Sequence, residues 1–167
     1  GKVIQKYRHD PNDSSSLGDD RIRVIKEDSH GNLWIGNRSG LNLMDRDNGT
    51  FELFKHDDKD DMSLPFDIVM TLLEDSYGRL WIGTSGGLAV MDLKTRTIER
   101  VYRKIGDDGL SSLQVRSLLE DSRGDIWVGT RNGLNRIDRV NGTIDRFMMK
   151  DGMPSNVVYG LMEDETG

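Results

Sequence analysis

Short apolar runs separated by polar, glycine-bearing turns follow one another along the whole chain, and none keeps a helical spacing long enough to predict a stable helix. The runs predict strands instead. A first set, Arg23–Glu27, Met70–Glu74 and Arg116–Glu120, leads into turns ending in Gly31, Gly78 and Gly124, which suit the positive φ of a hairpin. A second set, Leu33–Ile35, Leu80–Ile82 and Ile126–Val128, is bulky and nearly unbroken, the pattern of a strand covered on both faces. Gly-rich turns follow from Gly36, Gly83 and Gly129, and third strands then run from Leu41, Leu88 and Leu134 to Asp45, Asp92 and Asp138. Fourth strands are expected at Phe51–Lys55, Ile98–Arg103 and Ile144–Met149. The hairpins before two of them contain Asn48-Gly49 and Asn141-Gly142, a strong hairpin signal, whereas the middle one reads Lys94-Thr95-Arg96-Thr97.

The pattern repeats. Glu27-Asp28-Ser29 through Leu33-Trp34-Ile35-Gly36 returns from Glu74 to Gly83 and from Glu120 to Gly129, with Trp34, Trp81 and Trp127 spaced 47 and 46 residues apart. That period holds four short strands and their turns, which points to β-propeller blades. The fold class expected is all-β: a propeller fragment of three complete four-stranded antiparallel blades, with an orphan strand at each end. Residues 1–21 would hold the outer strand of a preceding blade, from Val3 to Arg8, and a connecting loop. Blades follow at 22–55, 68–103 and 115–149, and 157–167 would start another with an inner strand from Val157 to Glu163. Neither end reads as a natural domain boundary.

Composition adds exclusions. With 35% hydrophobic and 31% charged residues the chain is ordinary for a soluble globular protein, and no apolar run predicts direct membrane insertion. A formal net charge of −6, with no clustered basic run, disfavours nucleic acid as a partner. There is no cysteine, so disulfides and thiolate metal sites are excluded. The N-terminal residues carry no signal-peptide pattern.

Length changes fall between strand four and the next strand one. Phe54 and Leu64 lie 10 residues apart, Val101 and Leu110 lie 9 apart, and Phe147 and Met153 lie 6 apart. Variation on one face of a fixed scaffold marks a binding face, and with strand one innermost the turns joining strands two and three open there too. The turn residues Arg38, Ser39, Ser85, Arg131 and Asn132 change from blade to blade between fixed glycines, which makes them the first-rank ligand contacts. Arginine can hold a carboxylate or sugar hydroxyls through its forked donors. Asp20, Asp67 and Asn156, just before strand one, are second-rank candidates.

Other residues read as structural. The tryptophans fit packing between blades better than sugar stacking, and the Asp-Ser pairs fit tight turns better than acid or metal chemistry. The acidic loops from His9 to Asp20 and His56 to Asp67 lack calcium-loop spacing and read as solvated. His9, His30 and His56 have no partners at zinc-ligand spacing. No catalytic residue, metal site or cofactor is assigned.

The phrase Glu-Asp-Ser-x-Gly-x-Leu-Trp-Ile-Gly-Thr-x-x-Gly-Leu, with loops such as Asp151-Gly152-Met153-Pro154-Ser155-Asn156, closely resembles the two-component regulator propeller repeat over nearly the whole chain. The resemblance implies a seven-bladed propeller in the complete domain, often two in tandem. It also implies the periplasmic sensor half of a hybrid two-component histidine kinase of Bacteroides-type bacteria, sensing a carbohydrate such as an oligosaccharide. This chain holds about half of one such propeller and no kinase or receiver motif. The expectation is a non-enzymatic ligand-binding part of a sensor, contributing to signal transduction and transcriptional regulation. The alternatives are a propeller enzyme such as a lyase, or an interaction and dimerisation scaffold. Open blade faces at both ends also predict self-association.

Overall fold

The computed structural model describes residues 5–106 and 108–164, apart from the Arg100 side chain. The first blade comprises β1 (Val24–Glu27), β2 (Leu33–Gly36), β3 (Leu41–Asp45) and β4 (Thr50–Phe54). The second comprises β5 (Val69–Glu74), β6 (Arg79–Thr84), β7 (Gly87–Asp92) and β8 (Thr97–Tyr102). The third comprises β9 (Val115–Glu120), β10 (Ile126–Thr130), β11 (Gly133–Ile137) and β12 (Ile144–Phe147). Each blade is an antiparallel sheet whose strands pair in chain order, and the first strands of successive blades approach one another. Strand one is therefore the inner strand.

Burial follows the sequence pattern. In β6 every residue from Leu80 to Thr84 is buried, as a strand sandwiched between neighbouring blades requires. Trp34 packs with Leu72, Leu80, Ile82 and Met91 of the second blade, and Trp81 with Val115, Ile126, Val128 and Ile137 of the third. The tryptophans are thus the seal between blades. Trp127 is only half-buried and lines a cavity of about 320 Å³ with Leu119, Leu134, Leu161 and Met162.

Two local assignments differ from expectation. Gly36, Gly83 and Gly129 lie within strand two, Gly36 as its last residue and the others one residue before its end, instead of opening the turn, and their role is close approach. A Cβ on them would come within 2.5, 2.6 and 2.7 Å of Val69, Val115 and Val158 of the following segment. Strand four of the third blade stops at Phe147, because Met149–Asp151 turn into a 3-10 helix. The predicted hairpin glycines Gly31, Gly78 and Gly124 do take positive φ, at 82°, 75° and 86°.

Among the described residues neither orphan strand is formed. Val3 and Ile4 of the expected outer strand, and residues 165–167 at the other end, lie outside the described residues. Gln5–Arg8 and Val157–Glu163 carry no strand, because a strand needs a ladder of partners and the described residues supply no sheet of their own for either. The second segment still follows an inner-strand path. Val158 N–H donates to the Thr130 carbonyl at 3.0 Å, and Glu163 accepts the Ser122 N–H at 2.9 and 3.0 Å.

The Glu-Asp-Ser signature is resolved letter by letter. Asp28 accepts backbone N–H groups of its own turn from His30 and Asn32 at 2.9 Å, the expected turn closure. Its other oxygen accepts the Trp34 indole N–H at 2.8 Å, and the Asp75–Trp81 and Asp121–Trp127 pairs repeat that distance. The glutamate works across the boundary: Glu74 accepts the N–H of Ser29 at 2.9 and 3.1 Å, and Glu120 that of Ser76 at 2.7 Å.

Candidate functional site

The face formed by the β2–β3, β6–β7 and β10–β11 turns is rigid underneath and open above. In the first blade Asn37 accepts the Ser39 N–H at 2.9 Å and donates its amide to the Asp19 carbonyl at 3.0 Å. In the second and third blades a buried threonine does this work. Thr84 donates to the Gly87 carbonyl at 2.9 Å and accepts from Gly86 N–H, and Thr130 donates to Gly133 at 2.8 Å and accepts from Asn132 N–H. These side chains, unsuspected from the sequence, set the turn while leaving its tip free.

At the tips, Arg38, Arg131 and Asn132 are exposed, and Ser39 and Ser85 are half-buried. Among the described residues the side chains of these five make no hydrogen bond apart from a 3.5 Å contact of Arg131 with Gln114. The turns meet the incoming strands here: Ser85 N–H donates to the Ile68 carbonyl and Val69 N–H to the Asn37 carbonyl, both at 3.0 Å. All five first-rank candidates therefore belong to one face.

Asp20, Asp67 and Asn156 reach the same region but have structural work. They accept the backbone N–H groups of His9, His56 and Met149 at 2.7, 2.8 and 2.7 Å, closing each connecting loop at its base. The histidines clamp the loops from the other side, with Nδ1 of His9 on the Leu17 carbonyl at 2.8 Å and Nδ1 of His56 on the Leu64 carbonyl at 2.7 Å. Because a carbonyl only accepts, each Nδ1 carries the proton. The loop aspartates mostly cap backbone: Asp10 serves Asn12, Asp13 serves Ser15, Asp57 serves Lys59 and Asp60 serves Met62, each at 2.9 Å. Paired hydrogen bonds from Arg21 hold the Asp19 carboxyl far below the usual carboxylate range. Among the described residues no group of three or more His, Cys, Asp or Glu is placed to hold a metal ion.

The profile of the two component regulator propeller family matches residues 16–39, 63–86 and 109–132. The chain carries two-component regulator propeller repeats. Each matched stretch runs from the connecting loop through strands one and two to the turn tip, so the repeat motif spans the elements that build the open face.

Solved structures carry the same blades. The extracellular domain of BT3049, assigned to a hybrid two component system of B. thetaiotaomicron, is 25% identical with a TM-score of 0.64, over 86% of this chain and 19% of that one. The extracellular domain of BT4673, assigned to a hybrid two component system of the same organism, is 23% identical with a TM-score of 0.75, over 91% of this chain and 20% of that one. PorZ, a surface component of the type-IX secretion system of Porphyromonas gingivalis, is 18% identical with a TM-score of 0.58, over 88% of this chain and 23% of that one. At 23% and 18% identity the latter two attest the fold alone. The chain thus spans about a fifth of the length of the solved structures it matches. No curated protein matches the repeats. Among the described residues no helix is long and apolar enough to cross a membrane.

Proposed function

We propose that these repeats form part of the extracytoplasmic ligand-sensing propeller of a bacterial hybrid two-component sensor, binding an oligosaccharide or similar polar ligand on the turn face without catalysis. The observation that carries the reading is the separation of labour in the turns. Asn37, Thr84 and Thr130 hold the backbone from beneath, which fixes the main chain at Arg38, Ser85, Arg131 and Asn132 while their side chains, apart from the 3.5 Å contact of Arg131 with Gln114, keep donors and acceptors unspent. Unsatisfied polar groups on a fixed main chain favour binding because little backbone ordering entropy remains to be lost. Repeats of this type, and the extracellular placement of the 25%-identical BT3049 domain, support the sensor assignment.

The test is calorimetric titration with a panel of oligosaccharides, coupled to chromatography of the sugars after incubation. Saturable binding with the sugars recovered intact is expected. Bond cleavage would favour the lyase alternative, and no saturation with any sugar would overturn the reading. Exchanging Arg38 and Arg131 together for Ala should weaken binding with an unchanged melting temperature.

A further inference from the structure

This is an acidic chain, and its arginines are mostly spoken for. Arg8, Arg21, Arg46, Arg79, Arg96, Arg103, Arg136 and Arg139 all lie within 4 Å of a carboxylate. Arg23, Arg38, Arg116, Arg123 and Arg131 do not, among the described residues; Arg123 sits in the β9–β10 hairpin, and the other four share one location. Val24 and Ser117 stand opposite the strand-two glycines Gly36 and Gly129, so Arg23 and Arg116 occupy the same place one residue earlier on strand one. Arg38 and Arg131 lie two residues past those glycines, at the turn tips. The first and third blades therefore each present an arginine pair to the open face.

The middle blade presents none. Thr71 stands opposite Gly83, which puts Met70 and Ser85 at the two corresponding places. Beside them Phe66, 45% exposed, lies on the turn at Gly86, where a Cβ would come within 2.8 Å of its own. An uncharged, partly aromatic middle is thus flanked by cationic pairs.

The nearby carboxylates are engaged elsewhere. Asp19 holds Arg21 at 2.7 and 2.9 Å, and Asp20 and Asp67 accept backbone N–H groups of the loops. Arg116 adds a specific vacancy, since its guanidinium lies 5.0 Å from the Tyr159 ring centroid while its buried Nε donates to nothing among the described residues. Unpaired guanidinium groups gathered on one face attract anions, and charge-assisted bonds to carboxylate or sulfate are the strong ones.

The structure assigns this face to an acidic oligosaccharide, whose carboxylate or sulfate groups bridge the two arginine pairs while the apolar face of a sugar ring lies on Phe66. The saccharide part rests on the reading under Proposed function, whereas the anionic part rests on the arginines. The experiment is titration calorimetry of the whole chain with three probes: tetragalacturonate, a sulfated tetrasaccharide and neutral galactotetraose. The expected result is that an acidic probe binds and the neutral one does not, with affinity falling as salt rises. Which acidic probe binds distinguishes carboxylate from sulfate.

Two double variants locate the contacts: Arg23→Gln with Arg38→Gln, and Arg116→Gln with Arg131→Gln. Each should lower affinity roughly tenfold or more, with melting temperature held in the first, and lowered in the second only by loss of the Arg116 contact with the Tyr159 ring. Neutral galactotetraose binding as tightly as the acidic probes would overturn the anionic assignment and leave the carbohydrate reading standing. Binding of none of the three would overturn both. Acidic binding untouched by either double variant would overturn the placement.

Discussion

Arg139, in the β11–β12 hairpin of the third blade, donates to Asp75 of the second blade at 2.8 Å, and the Asp75 side chain is 0% exposed. The same guanidinium also bonds Glu120 and stands 4.4 Å from the Tyr77 ring centroid, so one cation ties two carboxylates and an aromatic ring across a blade boundary. Removing it leaves two poorly solvated carboxylates facing each other. Arg139→Ala should therefore destabilise the chain by about 3 kcal/mol, the typical cost of breaking a buried pair from one side, measured by urea unfolding at neutral pH. At the preceding boundary Leu93 holds the corresponding position inside an apolar cluster, so Leu93→Ala should act through packing and stay insensitive to salt.

The aspartates beneath Trp34 and Trp127 make stability depend on pH in a defined direction. Burial pushes the Asp28 carboxyl up, but the Trp34 indole, the Asn32 side chain and two backbone N–H groups outweigh it and hold it below the ordinary range. Asp121 is held down in the same way, against burial, by Trp127 and the backbone of Asp125 and Arg123. A carboxyl more acidic folded than unfolded stabilises above its unfolded pKa, because the unfolded chain binds the proton first as pH falls. Melting temperature should hold above about pH 4 and drop below it. Asp28→Asn should cost about 1–2 kcal/mol at pH 7. Its deficit should narrow as the pH falls towards 2, and a deficit that stays constant would mean the carboxylate charge is not involved.

The blades were legible because period, glycine spacing and the covered strand at Trp34, Trp81 and Trp127 all encode the same geometry. The bonds between blades were not. Asp28 has a sufficient explanation within its own turn, so nothing in the pattern separates an aspartate that only closes a turn from one that also holds an indole six residues on. Glu74 and Ser29 are 45 residues apart, and in a perfect repeat every such pair looks alike. Arg139 was hidden for the opposite reason: its counterparts are Arg46 and Leu93, so no repeated letter drew attention to it. At the open face, variability at Arg38, Ser39, Ser85, Arg131 and Asn132 was readable as freedom from packing. The backbone bonds that occupy Asp20, Asp67 and Asn156 depend on loop closure, which no local pattern carries.

Close approach at the strand-two glycines should make them intolerant of even a methyl group. A Cβ on Gly83 would stand 2.5 Å from Thr71 and 2.6 Å from Val115, both fixed by packing on inner strands. Gly83→Ala should destabilise by about 1–3 kcal/mol, the usual cost of overpacking. Gly31 has nothing within 4 Å, so Gly31→Ala should cost only the strain of its positive φ. Thermal unfolding of the two variants side by side separates steric from conformational loss.

The middle hairpin offers a stabilising change. Gly49 and Gly142 take φ of 70° and 72° and donate their N–H to the Asp45 and Asp138 carbonyls at 2.8 Å. Arg96 occupies the same place, with φ 59° and its N–H on the Asp92 carbonyl at 2.8 Å, yet it carries a side chain that disfavours the left-handed region. What its side chain returns is a half-exposed contact with Glu52 at 3.6 Å, a class of ion pair that contributes little. The greater backbone freedom of an unfolded glycine chain offsets part of the gain. Arg96→Gly should still raise stability by about 0.5–1 kcal/mol, read as a higher urea midpoint at unchanged slope. Arg96→Asn, which tolerates this region, should recover part of that gain, whereas a loss in both variants would show that the Glu52 pair outweighs the backbone strain.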